Sequence, residues 1–598
     1  MFIGNLRKFI GYFGKGRKIR LLGFFILSLI AGLFEFIGIA LVYPFVLLII
    51  NPQSVINSSY YIKFSEIFQI KDALVGSFII GLFVVLLFIL KNIFMICVVY
   101  LQNKFANNWK FDISRKFMEY YLFAPYKMAL KTQPAQKLYT LNFLIPQSLD
   151  GFVFRAVNFA TNFIIVAMIL LLLFIKFPFA ALVTTVFVGL SLFIQSAFFK
   201  NKMKKLSKKL LEVSLESNSQ VLNNINNLKE LKILSSENYF YEQYLKTQKE
   251  FNKAVFQNNF FASIPPYIVE ILVVVSLLIL AAIISVQTAQ NSSVMIASYA
   301  ITVAAIFRIA PALNKIQTSL NAMNASREVV RGLITEYEHC DFSSVEKKSD
   351  LKIDFKDKIE LKNIDFSYSE NRKVIKNLSL EIKKGEFIGI IGLSGVGKST
   401  LADIIMGLLP VDAGEIKVDG ITLNSENFVA LRKIIGYVPQ QINILDGTFK
   451  QNVAWGVNES DIDDKRVLEV LERAKLIDLV GEFEEGIDSK ITSGLRGMSQ
   501  GQKQRLAIAR AIYRNPQVLI FDEATSALDV ETEHEITKML NDLKGEKTII
   551  AIAHRLSTLK SCDRLVYLKN GEVVATGSFS ELSKKFPDFE NLVKLSNI

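Results

Sequence analysis

The spacing of apolar residues along this chain changes character once. Up to about residue 315 they gather in runs at about 21–46, 75–100, 154–175, 178–199, 263–286 and 293–315. Each run is near the roughly 20 residues that a helix needs to cross a hydrocarbon layer about 30 Å thick. Beyond about 350 the apolar residues come in short pieces of strand or helix length, as in a soluble α/β domain. The pattern predicts a transmembrane domain over 1–335, a polar linker over 336–356 and a second domain over 357–598.

Basic residues sort the connections into two classes. The stretch 101–150 carries seven Lys and Arg and 200–260 carries eleven, whereas the alternate connections hold only Lys63, Lys71 and Lys176. Lys and Arg favour cytoplasmic loops, so the long connections, the N-terminus and the second domain are expected on one, cytoplasmic, side. Residues 1–20 carry six basic residues and no acidic one, which reads as a retained anchor, not a cleaved signal peptide. The formal charge of +13 is met by lipid headgroups, and no nucleic-acid partner is implied. Cys97, Cys340 and Cys562 lie far apart without metal-type spacing, so neither a disulfide framework nor a zinc site is expected.

The long inner connections keep helical spacing, as in Leu206, Leu210 and Val213, and read as spans prolonged beyond the bilayer. Between the first two spans, Tyr60, Phe64, Ile67 and Phe68 share one helical face. That face suits an interfacial helix or a helix packed on the protein surface. Ionisable groups within spans are costly and mark a partner or a pathway. Counted from the outer ends of their spans, Lys91 and Arg308 share a depth of roughly 22–24 Å at 1.5 Å per residue. With Arg155 they form a candidate belt for a phosphate or pyrophosphate headgroup; the alternative is pairing with Glu35 or Glu270, or snorkelling.

The second domain announces its chemistry at Gly392-Leu393-Ser394-Gly395-Val396-Gly397-Lys398-Ser399-Thr400. Two glycines four residues apart followed by Lys and Ser/Thr form a phosphate loop, and the flanking pattern supplies the required strand, Phe387–Ile391, and helix, Leu401–Leu409. Backbone N–H groups cradle phosphate oxygens, Lys398 reaches the β/γ-phosphates and Ser399 meets Mg²⁺. The fold expected here is an α/β P-loop NTPase. Downstream, Val518–Phe521 is apolar on both faces and ends in Asp522 and Glu523. Acids at the carboxyl end of a central strand sit where α/β sheets bind ligands: Asp522 as metal ligand, Glu523 orienting or deprotonating the attacking water. Tyr368, 24 residues before Gly392, offers a flat platform for adenine.

Met498-Ser499-Gln500-Gly501-Gln502 resembles the signature of ATP-binding cassette (ABC) proteins, and Lys503–Ala511 continues it. The other family elements follow in order: Tyr368 as the A-loop aromatic, Gln440 as the Q-loop residue, Ser526–Asp529 as the D-loop and His554 as the switch histidine. The resemblance extends to the whole chain, which is similar to a type IV half-exporter. It implies a homodimer with two ATP and Mg²⁺ ions sandwiched head to tail, Ser499, Gln500, Gly501, Gln502 and Asp529 of one copy closing on the nucleotide of the other. Glu523, His554 and Gln440 would be catalytic, with Ser399, Gln440 and Asp522 around the metal. Coupling to the spans would run through segments near Leu122–Lys131 and Leu231–Tyr239. Gln500 replaces the first signature glycine, and Ile491–Gly494 lacks the usual Gly-Glu of exporters. Communication between the domains is the property these departures bear on.

Phe34–Phe45, Ile306–Lys315 and the segment after the first span are similar to bacterial flippases for lipid-linked oligosaccharides. That resemblance implies a polyprenyl-pyrophosphate glycan moved from the cytoplasmic to the outer leaflet of the inner membrane, with Lys91, Arg155 and Arg308 meeting its headgroup. The runner-up is export of another amphiphile, a lipid A-type glycolipid, a drug or a peptide; a nucleotide-gated channel would use the same scaffold without hydrolysis.

Overall fold

The computed structural model describes residues 2–50, 73–130, 132–287, 292–346, 351, 353–369, 372–424, 427–491, 498–522, 530–552, 556–586 and 589. The segment 60–68 lies outside them. The chain divides into two compact units, residues 1–121 with 132–341, and 122–131 with 342–598.

The first unit is helical: α1 Phe2–Phe13, α2 Lys18–Ala40, α3 Val42–Ile50, α4 Ala73–Phe123, α5 Phe154–Lys176, α6 Pro178–Ile194, α7 Lys200–Asn226, α8 Glu237–Ser263, α9 Pro265–Gln287, α10 Ser292–Ala325 and α11 Arg327–His339. Six stretches among the described residues are long and apolar enough to cross a membrane. The prolonged spans are present: α4 alone runs 51 residues, about 77 Å at 1.5 Å per residue. The stretch from Pro134 reaches α5 through two widened turns, Thr140–Leu144 and Leu149–Val153, on either side of Pro146, whose missing N–H interrupts the regular ladder.

The core of this unit lies where Ile165, Ile169, Leu172 and Leu173 of α5 meet Ile301, Ala305, Ile309 and Ala312 of α10. Against α2 the approach is close: a Cβ on Gly32 would lie 2.7 Å from the Met168 sulfur. Small residues let helix backbones pack tightly in a bilayer, where water supplies no drive for association. The helix α1 precedes the first span. Phe9 and Phe13 on one of its faces are buried beside Trp109, whose indole N–H donates to the Phe13 carbonyl at 2.9 Å. Arg17 pairs with Asp112 and lies over the Phe105 and Trp109 rings. The basic N-terminal segment is therefore strapped to α4.

The second unit holds β1 Lys358–Ser369, β2 Arg372–Lys383, β3 Phe387–Ile391, β4 Ala413–Val418, β5 Ile421–Thr422, β6 Ile435–Val438, β7 Gly447–Thr448, β8 Lys490–Ile491, β9 Val518–Asp522, β10 Thr548–Ile552, β11 Arg564–Lys569 and β12 Glu572–Gly577. One sheet has the order β12-β11-β3-β10-β9-β6 and is parallel except at the β11–β12 edge. A second, antiparallel sheet runs β2-β1-β4-β5. Every residue of β3, β9 and β10 is buried, as strands covered on both faces must be. The helix after β3, α12, spans Lys398–Ile405, shorter than the Leu401–Leu409 pattern. Gly407, at φ +65°, turns the chain away, the left-handed exit that glycine permits.

The segment Leu122–Lys131 packs as part of this second unit. The Lys127 ammonium lies 3.5 Å from an Asp412 oxygen and 4.8 Å above the Phe366 ring, and the Phe123 carbonyl accepts from the Glu346 N–H at 2.8 Å. Segment 231–239 falls in the first unit. There the short helix Leu228–Ile233 and the turn at Ser235, φ 50°, leave Ile233, Leu234 and Tyr239 exposed.

Candidate nucleotide site and membrane cavity

The phosphate loop leaves β3 at Gly392 and enters α12 at Lys398. Gly395 and Gly397 take φ of +80° and +105°, left-handed conformations open to glycine at no steric cost. A Cβ on Gly392 would stand 2.4 Å from the Leu568 carbonyl oxygen. Lys398 is buried, and its ammonium donates to the Gly392 and Leu393 carbonyls at 2.8 and 3.1 Å. The loop thus closes around the cation that a phosphate would otherwise meet.

The strand β9 delivers Asp522 beside this loop. Ser399 Oγ lies 3.5 Å from Asp522 Oδ1, and the Tyr437 hydroxyl donates to Oδ2 at 3.3 Å. An alcohol and a carboxylate converging at the start of α12 suit a hard divalent cation. Gln440 follows β6, which pairs with β9 through Val438 and Phe521, so Gln440 emerges at the same sheet end as Asp522. The Tyr368 hydroxyl meets Thr400 Oγ1 at 3.1 Å, and Tyr368 is 43% exposed with its ring edge-on to Phe366. Its platform is pinned to the helix that follows the phosphate loop.

Asp403 belongs to this site and escaped the motif reading. It stands one helical turn past Ser399, on the same face. Burial, and then the charge of Asp522, push its carboxyl from 3.8 to about 6. The i, i+4 spacing from Ser399 was the signal available.

Ser499 caps α13, Gln500–Tyr513. The Gln502 N–H donates to Ser499 Oγ at 3.2 Å, and the Ser499 N–H donates to Gln502 Oε1 at 2.8 Å. This capping box explains Ser and Gln three residues apart. Gln500 opens the helix with negative φ, as does Gly501, so replacing the first signature glycine costs no backbone strain. Further along α13, the Arg510 guanidinium lies 4.0 Å from the Trp455 ring and donates to the Asn443 and Asn452 carbonyls. Burial lowers its pKa to about 10. It ties the signature helix to the loop beyond Gln440. Glu523, Asp529, His554 and residues 492–494 lie outside the described residues.

In the first unit, Lys91 and Arg308 meet on one carboxylate, the Glu35 pairing that stood as the alternative to a headgroup belt. Lys91 Nζ is 2.8 Å from Glu35 Oε1, and Arg308 pairs with the same oxygen. Arg308 also lines a cavity of about 240 Å³ with Arg155, Lys315, Gln102, Asn158 and Asn162. Among the described residues none that lines the cavity is acidic, and Glu35 meets Arg308 from outside that lining. Lys91 stands outside that lining.

Residues 21–309 match the family described as ABC transporter transmembrane region, and residues 375–526 match the ABC transporter family. The chain is similar to the ATP-dependent lipid A-core flippase of Pasteurella multocida, 39% identical over 225 residues, 38% of each chain. It is also similar to that of Syntrophus aciditrophicus, 37% identical over 239 residues, 40% of this chain and 39% of the relative. The leukotoxin translocation ATP-binding protein of Mannheimia glucosida is 41% identical over 225 residues, 38% of this chain and 32% of the relative. The chain thus spans about two fifths or less of the length of these curated relatives. Among solved structures, a bacterial Atm1-family ABC exporter with ATP bound superposes with a TM-score of 0.76 at 19% identity, covering 98% of this chain and 99% of that one. With six candidate spans ahead of a phosphate-loop cassette, and both halves matched, the chain belongs to the ABC transporters.

Proposed function

We propose that two copies of this chain form an ATP-driven exporter that flips a phosphate-bearing anionic lipid from the cytoplasmic to the outer leaflet of a bacterial inner membrane. The observation that carries the reading is the cavity lined by Arg155, Arg308 and Lys315 in the membrane unit, on the same chain as a phosphate-loop cassette. Guanidinium groups bind phosphate oxygens bidentately, and Arg155 and Lys315, beside the Arg308 that Glu35 holds, suit an anionic headgroup. A polyprenyl-pyrophosphate glycan fits, with Arg155 and Arg308 on the pyrophosphate and Lys91 holding Glu35 in place. The resemblance of Phe34–Phe45 and Ile306–Lys315 to oligosaccharide-lipid flippases supports that substrate. Similarity to lipid A-core flippases supports a phosphorylated glycolipid as the second reading.

In the cassette, Lys398 would leave the Gly392 and Leu393 carbonyls for the β/γ-phosphates, and Tyr368 would stack on adenine. Ser399, Asp522 and Gln440 would hold Mg²⁺, which when bound neutralises phosphate charge. Glu523 would orient the attacking water and His554 would hold the γ-phosphate. Ser499 at the head of α13 would present its hydroxyl and the helix N-terminus to the γ-phosphate of the other copy. Differential affinity for ATP of the open and closed arrangements would drive the spans between two states.

Purified protein in liposomes tests this. ATP-dependent flipping and stimulated hydrolysis are compared for a polyprenyl-pyrophosphate glycan, lipid A and hydrophobic drugs. Glu523→Gln should keep ATP binding and lose turnover. Stimulation by drugs alone, or flipping untouched by Arg155→Gln with Lys315→Gln, would remove the reading.

A further inference from the structure

The headgroup cavity has a neighbour. On the other side of the contact between α2 and α5 lies an apolar slot of about 210 Å³, lined by Leu6, Ile10, Phe25, Val157 and Ala160. Ser28 lines both. The cationic cavity and the apolar slot therefore flank one seam, and that seam is held at this level by Ser28 Oγ and Thr161 Oγ1, 2.6 Å apart.

The bond is built to open at low cost. Ser28 Oγ also lies 2.8 Å from the Phe24 carbonyl, and Thr161 Oγ1 lies 3.0 Å from the Val157 carbonyl, each one turn back in its own helix. Two hydroxyl protons serve three contacts. When the helices part, each hydroxyl falls back on its own carbonyl, so no buried donor is orphaned, and an orphaned donor is what makes breaking such a bond expensive in hydrocarbon. Gly32, one turn beyond Ser28, packs closely on Met168 without a side chain to disengage.

We infer that the seam between α2 and α5, latched by Ser28 and Thr161, is a lateral portal: the lipid's phosphate headgroup occupies the cavity of Arg155, Arg308 and Lys315 while the start of its hydrocarbon tail lies in the slot of Leu6, Ile10, Phe25, Val157 and Ala160. This rests on the function proposed above. The charge of one compartment and the apolarity of the other match the two ends of one amphiphile, and Ser28, which lines both, sets them side by side. The tail then stays beside the protein while the headgroup travels inside.

The test uses the full-length protein in proteoliposomes, Cys97→Ala, with Ser28→Cys and Thr161→Cys. Hydroxyl oxygens 2.6 Å apart bring cysteines at these two positions within reach of each other for a disulfide. A fluorescent polyprenyl-pyrophosphate disaccharide is expected to lose flipping on oxidation and regain it on reduction of the same sample. Ala160→Phe, which fills the slot, should raise the half-saturating concentration for a long-tailed probe and leave a short-tailed analogue unchanged. Lipid A in a parallel arm identifies which phosphate lipid uses the seam; sensitivity of either supports the inference. Flipping of both lipids at the reduced rate while cross-linked, or an Ala160→Phe effect blind to tail length, overturns it. If Arg155→Gln with Lys315→Gln abolishes lipid-stimulated hydrolysis while the cross-linked form still flips, the seam fails and the function stands. If that pair is silent, the function itself fails.

Discussion

Glu35 and Lys91 form an ion pair at 2.8 Å with side chains only 2% and 4% exposed, and Arg308 shares the same carboxylate oxygen. One acid thus restrains two cations from two other helices, leaving the 39% exposed Arg308 to face the cavity. Removing one member of a buried pair strands the other charge, at about 3–5 kcal/mol. Glu35→Gln should therefore lower the unfolding temperature of the solubilised protein sharply, and Glu35→Gln with Lys91→Gln should recover part of the loss in a double-mutant cycle. Equal, small effects of the single and double variants would show that the pair is not desolvated.

The cassette should be sensitive to mild acid through Asp403. Its folded carboxyl titrates near 6 against 3.8, so between those values the folded state binds more protons than the unfolded one. The contribution is fully present below about 4 and is lost as pH rises through about 6. Asp403→Asn should flatten that part of the profile of nucleotide-free protein and raise stability at neutral pH, read by thermal unfolding across pH 4–7. An unchanged profile rejects the assignment.

Lys127 and Asp412 are 27% and 43% exposed, and such pairs contribute about 0–1 kcal/mol. Asp412 also accepts from the N–H of Ser367 at 2.6 Å, next to Tyr368. Strain on Lys127 therefore reaches the backbone that carries Tyr368, the proposed adenine platform. Lys127→Met should leave the unfolding temperature nearly unchanged and reduce lipid-stimulated hydrolysis more than basal hydrolysis. Equal loss of both would mark it as structural.

The capping box separates two duties of Ser499. Gln502→Ala and Ser499→Ala should both cost about 1 kcal/mol of stability as cap variants. Only Ser499→Ala also removes the hydroxyl that, in the proposed dimer, meets the other copy's γ-phosphate, so ATP-dependent closure, followed by cross-linking, should fail in that variant alone. Matching closure in both would restrict Ser499 to its cap.

Much of this protein is local in sequence and therefore legible there. Bilayer-length apolar runs, the glycines of the phosphate loop and the acid ending β9 each depend on neighbours within a few residues: a span must satisfy its own backbone in lipid, and a phosphate loop must turn where its glycines stand. Asp403 went unremarked because its charge takes on meaning only beside Asp522, which β9 brings from more than a hundred positions away. For the same reason the sequence offered Lys91 and Arg308 both as a belt and as partners of Glu35, and could not choose. Which charges share a carboxylate, which face a cavity, and that Ser28 touches two compartments at once are decided by how helices far apart in the chain pack, because electrostatics and shape act through space.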